Sequence, residues 1–557
     1  MPTYTVIDHL LDRVSALGVD KIFGVPGDFT LAMLDRVSDH PDIEWIGCSA
    51  ELGAAYAADG YARIRGLGVV CTTFGVGELS AINGIAGSYA EHVPVIHVVG
   101  SPSTATQRAG NPTHHTLGDG DFRHFARMHA EVTCVQASLT LENAASEIDH
   151  VISEVLERRL PGYIVIPADV GMAEIDPATG VLLERESKTN WRALRRFREA
   201  ARPLVANAER PAVLADVLVE RFGAETALHA LLATGIPHAS LLWGRRVVDE
   251  SAPTFVGTYV GAASRKIVQD TVEDADLLIE VGVQFTDLTS AYFSHELPPA
   301  DRCIVVDGTM VTVAGETFGP IAMVDSIRVI AGLIDERERA LPEPPIERPP
   351  SLPVPESSGP ALTQAALWSE VAGWIAPGDL VLAEQGTSFY GIGAHRMPRD
   401  VVFIGQPLWA SIGFTLPAIL GAALAAPQRR PVLLIGDGAA QLTISELGTM
   451  VRNKVPAVVV IVDNDGYTIE RAIHGPDAEY NDIAAWDWVA LSLALGATSA
   501  VAADTAEGLN TALAVARSQS DGVSVIVART PRDDVPPLLT AIAHAAAAAN
   551  RSKAVLS

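Results

Sequence analysis

The chain has few cysteines and no long apolar run, and each absence argues against a class of protein. Its four cysteines, Cys48, Cys71, Cys134 and Cys303, are scattered and form no CxxC motif. They indicate reduced thiols in a cytoplasmic protein, not a disulfide framework. No apolar run reaches the ~20 residues that a membrane-spanning helix needs. The N-terminus has no basic-then-apolar pattern typical of a signal peptide.

Positive charge is also scarce, because 40 Lys and Arg face 67 Asp and Glu and leave a net charge of −27. Nucleic acids and anionic membranes need basic patches, so neither is an expected partner. The excess negative charge is more simply explained by solubility. The length of 557 residues predicts several domains. No short-period repeat is visible, which argues against a solenoid.

Residues 430–470 have the pattern strand, turn, helix, strand, turn. The apolar runs 431–435 and 457–462 are typical of buried parallel strands, and helical spacing predicts a helix over 443–453. Gly436-Asp437-Gly438 follows the first strand as a tight turn, and Asn464 follows the second. Open parallel sheets bind ligands at the carboxyl ends of their strands, so both turns belong to a candidate site.

The residue types in these turns favour a metal and a phosphate. A carboxylate, an amide oxygen and a backbone carbonyl are hard donors, and phosphate oxygens and water usually complete such a Mg²⁺ shell. The turn amides and the start of the helix after Gly438 offer N–H groups to phosphates. Gly-Asp-Gly alone fits an ordinary strand-to-helix turn equally well. The second polar turn at Asn464 favours the metal site.

The spacing of Gly-Asp-Gly and Asn464 resembles the thiamine diphosphate signature. The longer string NDGYTIERAIHGP, residues 464–476, resembles the decarboxylase branch of that superfamily, which acts on pyruvate, indolepyruvate and branched-chain 2-keto acids. TTFGVGELSAINGIAGSYAE at 72–91 and GQPLWASIGF at 405–414 extend the resemblance over the whole chain. One departure is Asp463, where the family usually has Asn. The resemblance implies that only the second position, Asn464, binds the metal.

The fold class follows from strands that alternate with helices, which predict mainly parallel sheets. The resemblance implies an α/β protein of three domains, each a parallel sheet flanked by helices. Their expected bounds are 1–185 for a pyrimidine-binding domain, 190–340 for a central domain and 361–557 for a diphosphate- and Mg²⁺-binding domain. Residues 341–360 are a proline-rich linker. Strands are predicted at 21–25, 45–48, 69–73, 95–100, 164–167, 212–215, 277–281 and 303–306.

Five residues are candidate catalytic groups. Taken alone, Glu51 fits a carboxylate that complements a helix dipole, and Asp28 fits a turn residue. The resemblance implies that Glu51 hydrogen-bonds N1′ of the cofactor's aminopyrimidine, and that Asp28 and Glu470 are acid/base carboxylates. His114 and His115 would need further ligands to bind zinc, and their spacing shows none. The resemblance implies that they lie beside the substrate carboxylate.

Further residues are implied only by the resemblance. Ile412 would wedge the cofactor into a bent shape, and the backbone carbonyl of Ala410, where many relatives have Gly, would accept from the 4′-amino group. The complete sets are Glu51, Thr387, Ala410, Ile412, Gly436, Asp437, Gly438, Ala439, Asn464, Gly466, Tyr467 and Ile469 for the cofactor, Asp437, Asn464 and Gly466 for Mg²⁺, and Phe389, Tyr390, Ile469, Ile542 and Ala546 for the substrate pocket.

The resulting hypothesis is a decarboxylase that converts 2-keto acids to aldehydes with thiamine diphosphate and Mg²⁺. A small Ala546 favours branched-chain or aromatic 2-keto acids, and pyruvate is the alternative substrate. The resemblance implies active sites between two subunits, which make a dimer the minimal unit and favour a tetramer. Residues 214–222 lack the activating cysteine of some yeast relatives, which predicts hyperbolic kinetics. A carboligase of the acetolactate synthase type, or a non-catalytic assembly protein, is the competing class.

Overall fold

The computed structural model describes residues 3–177, 189–342 and 361–556, without the side chains of Ala546 and residues 548–556. The chain forms two compact units. The first unit comprises Met1–Glu186, Trp409–Arg429 and Leu442–Val455, and the second comprises Ser187–Leu408, Arg430–Gln441 and Pro456–Ser557. Most of the predicted linker, residues 343–360, lies outside the described residues.

The first sheet has six parallel strands in the order β2-β1-β3-β4-β6-β5. Its strands are β1 Lys21–Gly24, β2 Glu44–Gly47, β3 Gly68–Thr73, β4 Val95–Ser101, β5 Val135–Ser138 and β6 Gly162–Pro167. Its helices are α1 Val6–Ala16, α2 Leu31–Asp39, α3 Glu51–Arg65, α4 Val76–Ala90, α5 Thr104–Ala109, α6 His124–His129, α7 Ala144–Arg158 and α8 Ala168–Gly171. All predicted strands of this sheet are present, and β5 is an additional one.

The central sheet has seven strands in the order β13-β12-β11-β10-β7-β8-β9. Its strands are β7 Pro211–Ala215, β8 His238–Ser240, β9 Phe255–Thr258, β10 Leu277–Val281, β11 Cys303–Asp307, β12 Met310–Val313 and β13 Glu316–Phe318. Its helices are α9 Trp191–Asn207, α10 Leu218–Arg221, α11 Glu225–Leu232, α12 Lys266–Glu273 and α13 Met323–Asp335. The last three strands form antiparallel pairs, whereas β7 to β11 are parallel.

The third sheet has six parallel strands in the order β15-β14-β16-β17-β19-β18. Its strands are β14 Leu380–Ala383, β15 Val402–Ile404, β16 Pro431–Gly436, β17 Val458–Asp463, β18 Ser499–Ala503 and β19 Ser524–Arg529. The helices are α14 Gln364–Trp374, α15 Thr387–Gly393, α16 Thr415–Ala425, α17 Asp437–Thr443, α18 Glu446–Arg452, α19 Thr468–Ile473, α20 Trp488–Ala494, α21 Ala506–Ser518 and α22 Pro537–Leu556. Helices α16 and α18 belong to the first unit.

The helix predicted over 443–453 is present as α18, Glu446–Arg452, and a further helix, α17, precedes it. Helix α17 begins at Asp437 itself, and α18 starts again at Glu446. The Asp437 carboxylate accepts from the Gly438 N–H at 2.7 Å, as an acidic residue in a first turn can. At the other end of α17, the Thr443 hydroxyl donates to the Gly413 carbonyl at 2.8 Å. The Gly-Asp-Gly segment is therefore a strand end that passes directly into a helix.

The strands β16 and β17 are almost wholly buried because helices cover both faces of the third sheet. Their continuous Val, Ile and Leu runs suit that environment. Within the described residues, no helix is both long and apolar enough to cross a membrane. All four cysteines are free, as predicted. The architecture of three parallel-dominated sheets flanked by helices confirms the predicted fold class.

Candidate active site

The two predicted polar turns meet at one edge of the third sheet. Gly436, the last residue of β16, pairs with Val462 near the end of β17. The Asp437 carboxylate then accepts from the N–H groups of Asn464 and Gly466, both at 3.1 Å. One carboxylate therefore bridges the strand-to-helix junction and the following turn, as expected for neighbouring strand ends.

The oxygens of these turns converge in a way that fits a cation. The side-chain oxygen of Asn464 lies 2.9 Å from the Gly466 carbonyl oxygen and 3.2 Å from Asp437 Oδ1. Three acceptors facing one another repel, and a hard divalent cation with such donors relieves that repulsion. The opposite amide orientation would instead donate to both oxygens and let Asn464 accept from the Thr468 hydroxyl. The donor set is the predicted one, so these residues fit Mg²⁺.

Burial strongly affects the carboxylate of this cluster. Asp437 is 1 % exposed, and burial raises the pKa of its carboxyl to about 6 although three backbone N–H bonds act in the opposite direction. A bound cation would offset the cost of burying the ionised form. Gly438 completes the shape of the site, because a Cβ there would lie 2.5 Å from the Tyr467 ring. Space beside the helix start is therefore limited by Tyr467.

Arg471 fixes the turn that follows β17, and this role was not anticipated from the sequence. Its guanidinium is 4 % exposed and donates to the backbone carbonyls of Asn464, Asp465 and Asn481 at 2.6 to 3.2 Å. It also pairs with Asp482 at 2.8 Å. A planar guanidinium has five N–H donors, so it can bind several backbone carbonyls at once. The indication of this role in the sequence is that Arg471 lies within the string 464–476, which resembles the decarboxylases.

The predicted phosphate turn lies at the same sheet edge. Strand β14 pairs with β16, and the Glu384 N–H donates to the Leu434 carbonyl at 2.8 Å. Gly386 has φ of +124° and precedes Thr387, the first residue of α15. The nearest atom to a Cβ on Gly386 would be Cγ2 of Ile469, at 4.0 Å. Ile469 therefore lies beside the turn that precedes Thr387, and β14 pairs with the strand that ends just before Asp437.

A buried ion pair fixes the other end of α15. Arg245 is 2 % exposed and binds both carboxylate oxygens of Glu250 at 2.7 Å. It also donates to the carbonyls of Ile392 and His395. The Ile392 carbonyl belongs to the last turn of α15 and the His395 carbonyl lies just beyond it, where a cation is favourable. Arg245, which sequence reasoning missed, therefore anchors the helix that starts at Thr387.

The predicted substrate-pocket residues lie in the second unit, and most belong to its core. Phe389, Tyr390 and Ile542 are at most 2 % exposed and share one apolar cluster, against which the half-buried Ile469 packs. The Tyr390 hydroxyl accepts from Gln385 Nε2 at 2.9 Å. The side chain of Ala546 lies outside the described residues. Their role toward a substrate stays a prediction.

In the first unit, the fold brings Asp28 to the histidine pair. His114 Nε2 lies 2.8 Å from Asp28 Oδ2, and the His114 and His115 rings are 4.6 Å apart. Phe29 stacks on His114 with ring centroids 5.0 Å apart. The spacing of the two histidines indicated no third polar group beside them. The structure shows that this group is Asp28, 86 residues before His114. The cluster offers a carboxylate and two imidazoles within 4.8 Å of one another.

Glu51 and the Ala410–Ile412 segment also belong to the first unit. Glu51 opens α3, and a Cβ on Gly77 would lie 3.3 Å from its Oε1. Ala410 has φ of +53°, a left-handed conformation that glycine adopts at lower cost. Its neighbours are fixed, since the Trp409 indole donates to Asn83 at 2.9 Å. Ser411 also lies 2.7 Å from the Tyr56 hydroxyl.

The predicted residues are therefore divided between the two units. The first unit holds Asp28, Glu51, His114, His115, Ala410 and Ile412. The second holds Thr387, Gly436, Asp437, Gly438, Ala439, Asn464, Gly466, Tyr467, Ile469 and Glu470. Glu470 is exposed on α19. The first group consists mainly of carboxylates and imidazoles, and the second mainly of oxygen donors and backbone N–H groups at strand ends and helix starts.

Family models match three segments of the chain. They are the thiamine pyrophosphate enzyme N-terminal TPP binding domain over residues 4–124, its central domain over 198–331 and its C-terminal TPP binding domain over 391–528. Asp28, Glu51 and the histidine pair lie in the first segment, and Asp437 and Asn464 lie in the last. The geometry and the family models thus agree on a thiamine pyrophosphate enzyme.

Curated relatives are similar over nearly the whole chain. The alpha-keto-acid decarboxylase of Mycolicibacterium paratuberculosis is 50% identical over 504 residues, covering 90% of this chain and 89% of that protein. The protein of the same name from Mycobacterium leprae is 49% identical over 553 residues, covering 98% and 96%. The one from Mycobacterium tuberculosis is 50% identical over 509 residues, covering 90% and 89%.

A solved structure shares the fold. The X-ray structure of a protein described as a thiamin diphosphate-dependent enzyme from Mycobacterium smegmatis matches with a TM-score of 0.76 and 20% sequence identity. The match covers 95% of this chain and 100% of that one. The family resemblance drawn from the sequence is confirmed. The chain belongs to the thiamine pyrophosphate-dependent enzymes and, within them, to the alpha-keto-acid decarboxylase family.

Proposed function

We propose that this protein catalyses the non-oxidative decarboxylation of 2-keto acids to aldehydes and CO₂, with thiamine diphosphate and Mg²⁺. The observation that carries the proposal is the convergence of the Asp437, Asn464 and Gly466 oxygens at the ends of β16 and β17. The relatives named alpha-keto-acid decarboxylases support it. Bound thiamine diphosphate would supply a nucleophilic carbon and an electron sink, which no amino-acid side chain offers.

The second unit would hold the diphosphate end of the cofactor. Asp437, Asn464 and the Gly466 carbonyl would bind Mg²⁺, with Gly436, Ala439 and Tyr467 lining the same junction. The Gly438 amide and Thr387 are placed to donate to phosphate oxygens at helix starts. Residues 361–557 would thus form the diphosphate- and Mg²⁺-binding domain, 1–185 the pyrimidine-binding domain and 190–340 the central domain.

The first unit would hold the pyrimidine and move protons. Glu51 would hold a proton at N1′, the Ala410 carbonyl would accept from the 4′-amino group, and Ile412 would support the bent cofactor. His114 shares a hydrogen bond with Asp28, and such a pair can pass a proton to or from a reacting atom. With His115 and Glu470, these groups would protonate the reacting carbon after CO₂ has left.

A complete site would lie between two subunits, with the Glu51 group from one and the Asp437 group from the other. Exposed apolar side chains in the first unit, among them Val76 and Trp409, support self-association. We infer a homodimer as the minimal unit and a tetramer as the assembly. The protein would be cytoplasmic and would need neither nucleic acid nor membrane. Because no cysteine lies in residues 214–222, the kinetics would be hyperbolic.

The substrates would be branched-chain or aromatic 2-keto acids. Ile469 borders the Gly386 turn, and Ala546 is small, which leaves room for a large substituent. Pyruvate is the alternative substrate. A carboligase of the acetolactate synthase type is less well supported, because the proton-handling pair His114 and His115 with Asp28 suits aldehyde release.

The test is aldehyde formation from pyruvate, 2-ketoisovalerate, phenylpyruvate and indolepyruvate, with and without thiamine diphosphate and Mg²⁺. We expect aldehyde only with both cofactors, higher kcat/KM for the three larger acids, and loss of activity in Glu51→Gln. Substitution of the exposed Glu131 by Gln is the matched control. Acetohydroxy acid in place of aldehyde would establish the carboligase instead. Cofactor binding without any product would contradict the proposal.

A further inference from the structure

The turn Gly75–Gly77 lies between two candidate catalytic groups of the first unit. A Cβ on Gly75 would lie 1.9 Å from the carbonyl oxygen of His115, so the two backbones are in direct contact. On the other side, a Cβ on Gly77 would lie 3.3 Å from Oε1 of Glu51. Any shift of this turn therefore changes the support of His115 and the space beside Glu51 together.

Glu78 is the side chain that fixes the turn. Its Oε1 accepts from the Gly75 N–H at 2.7 Å, the carboxylate half of a capping box at the start of α4. Its Oε2 accepts from the Tyr163 hydroxyl on β6. The Glu78 side chain is fully buried. The turn is thus tied to the sheet through one carboxylate.

Among the described residues around Glu78, no cation offsets the cost of burying its carboxylate. Nδ1 of His129 lies 3.8 Å away but bonds the Phe125 carbonyl at 2.9 Å. The His129 ring stacks on Tyr163, and His97 lies beyond it. Burial lowers the pKa of His129 to about 4 and that of His97 well below its usual range. Among the described residues, Glu78 has no ion pair with Lys or Arg.

We propose that Glu78 is a positioning residue of the active site, which holds the Gly75–Gly77 turn against the His115 backbone and beside Glu51. The inference rests on the proposed function, in which His115 and Glu51 handle protons. Glu78 itself would touch neither substrate nor cofactor. Burying this carboxylate costs stability, and its two acceptor oxygens hold the Gly75 N–H and the Tyr163 hydroxyl at once.

Steady-state kinetics test this role. Glu78→Gln keeps the size of the side chain but leaves one acceptor oxygen where the carboxylate has two, so the Gly75 N–H and the Tyr163 hydroxyl can no longer each donate to a separate oxygen. We expect kcat/KM to fall by about 10- to 100-fold, as for an active-site displacement below 1 Å, with little change in the affinity for thiamine diphosphate. Tyr163→Phe keeps the hydrogen bond between Glu78 and the Gly75 N–H, so its kcat/KM should fall less. Glu280→Gln removes another buried carboxyl, in the central sheet, and should leave kcat/KM unchanged.

A double substitution shows whether Glu78 acts through His115. In a His115→Gln background, adding Glu78→Gln should lower kcat/KM by a smaller factor than in the wild type, because one of the two groups it positions is already absent. Multiplicative losses would overturn the proposal, and so would wild-type kcat/KM in Glu78→Gln. If Glu78→Gln does not fold, Glu78→Asp, which keeps the charge and shortens the reach, decides by the same criteria.

Hydrogen–deuterium exchange on the cofactor-free protein gives a readout independent of activity. Glu78→Gln should speed exchange in peptides covering both 72–79 and 113–118, whereas Glu280→Gln should change neither. Faster exchange in 72–79 alone would overturn the coupling to His115. If the wild type produced no aldehyde, the proposed function would fail, and the exchange result would still decide whether Glu78 holds the two segments together.

Discussion

Gly421 of α16 lies directly against the backbone of Ala57 in α3, since a Cβ on Gly421 would be 1.8 Å from the Ala57 carbonyl oxygen. The contact is reciprocal, because a Cβ on Gly60 would lie 2.0 Å from the carbonyl oxygen of Ala418. The two helices of the first unit therefore cross backbone to backbone. Helix α3 begins at Glu51, so this crossing fixes the axis on which that carboxylate stands.

Substituting Gly421 by Ala should strongly destabilise the first unit. A backbone carbonyl cannot move aside as a side-chain end can, so the helices must separate, at a cost of about 3 kcal/mol. Gly332, inside α13, has no atom within 4 Å of its would-be Cβ. Gly332→Ala is therefore the control and should stabilise by about 0.5–1 kcal/mol. Equal thermal midpoints for the two variants would contradict the close crossing.

Much of this fold can be predicted from the sequence, because parallel strands that are covered on both faces consist of continuous runs of apolar residues. Strand β17, with its run of Val and Ile, is of this kind. Strand β5 is not, since Val135–Ser138 contains Gln and Ser and lies at a sheet edge. The antiparallel strands β12 and β13 are short and partly exposed, so their apolar pattern is equally weak.

The site was predictable where residues follow strand ends and not where loops converge. Asp437 and Asn464 end adjacent strands of a parallel sheet, so their proximity follows from topology. The pairing of Asp28 with His114 depends on two loops and could not be read from spacing. Buried charges such as Glu78 and Arg471 resemble surface residues in a sequence, since only the fold shows what surrounds them.

Ala410→Gly should not destabilise the protein, although Gly usually does. Ala410 has φ of +53°, where an L-residue pays about 1–2 kcal/mol that Gly avoids. The greater entropy of Gly in the unfolded chain offsets about 0.4–1 kcal/mol of that gain. The control is Ala514→Gly on the exposed face of α21, which should lose about 1 kcal/mol. A thermal midpoint for Ala410→Gly as low as for Ala514→Gly would contradict this expectation.

Asp437→Asn should abolish the stabilisation that the cofactors give. Both carboxylate oxygens accept from backbone N–H groups, so an amide NH2 in place of either oxygen would face a buried donor and should lower the thermal midpoint of the cofactor-free protein. Saturating thiamine diphosphate and Mg²⁺ should stabilise the wild type by about 2.7 kcal/mol at a hundredfold excess over Kd. The variant should show no such shift in differential scanning fluorimetry.

The control for that experiment is Asp463→Asn, which introduces the residue usual in the family one position earlier. Asp463 lies 3.4 Å from Nε of Arg529 on β19, and the resemblance gives it no metal bond. The ligand-induced shift should therefore survive in Asp463→Asn. If both variants kept the shift, the assignment of Asp437 to the metal would be wrong. If both lost it, Asp463 would belong to the site as well.

Because of Glu78, the protein should become less stable as the pH rises. An ordinary salt-bridged carboxylate has the opposite effect. Burial raises the pKa of Glu78 to about 7, from 4.5 for an ordinary Glu. Between these values the folded protein keeps a proton that the unfolded chain has lost. The contribution of Glu78 is therefore complete below pH 4.5 and is lost as the pH rises toward 7, by about 3 kcal/mol.

Urea unfolding of wild type and Glu78→Gln from pH 4.5 to 7 measures this difference. The free energy of unfolding of the wild type, relative to the variant, should fall steadily across that range. Glu280→Gln should show the same slope, because burial raises the pKa of Glu280 to about 7 as well. A flat difference for Glu78→Gln would mean that its carboxyl binds protons equally in the folded and unfolded protein, and that the Gly75 and Tyr163 hydrogen bonds offset its burial.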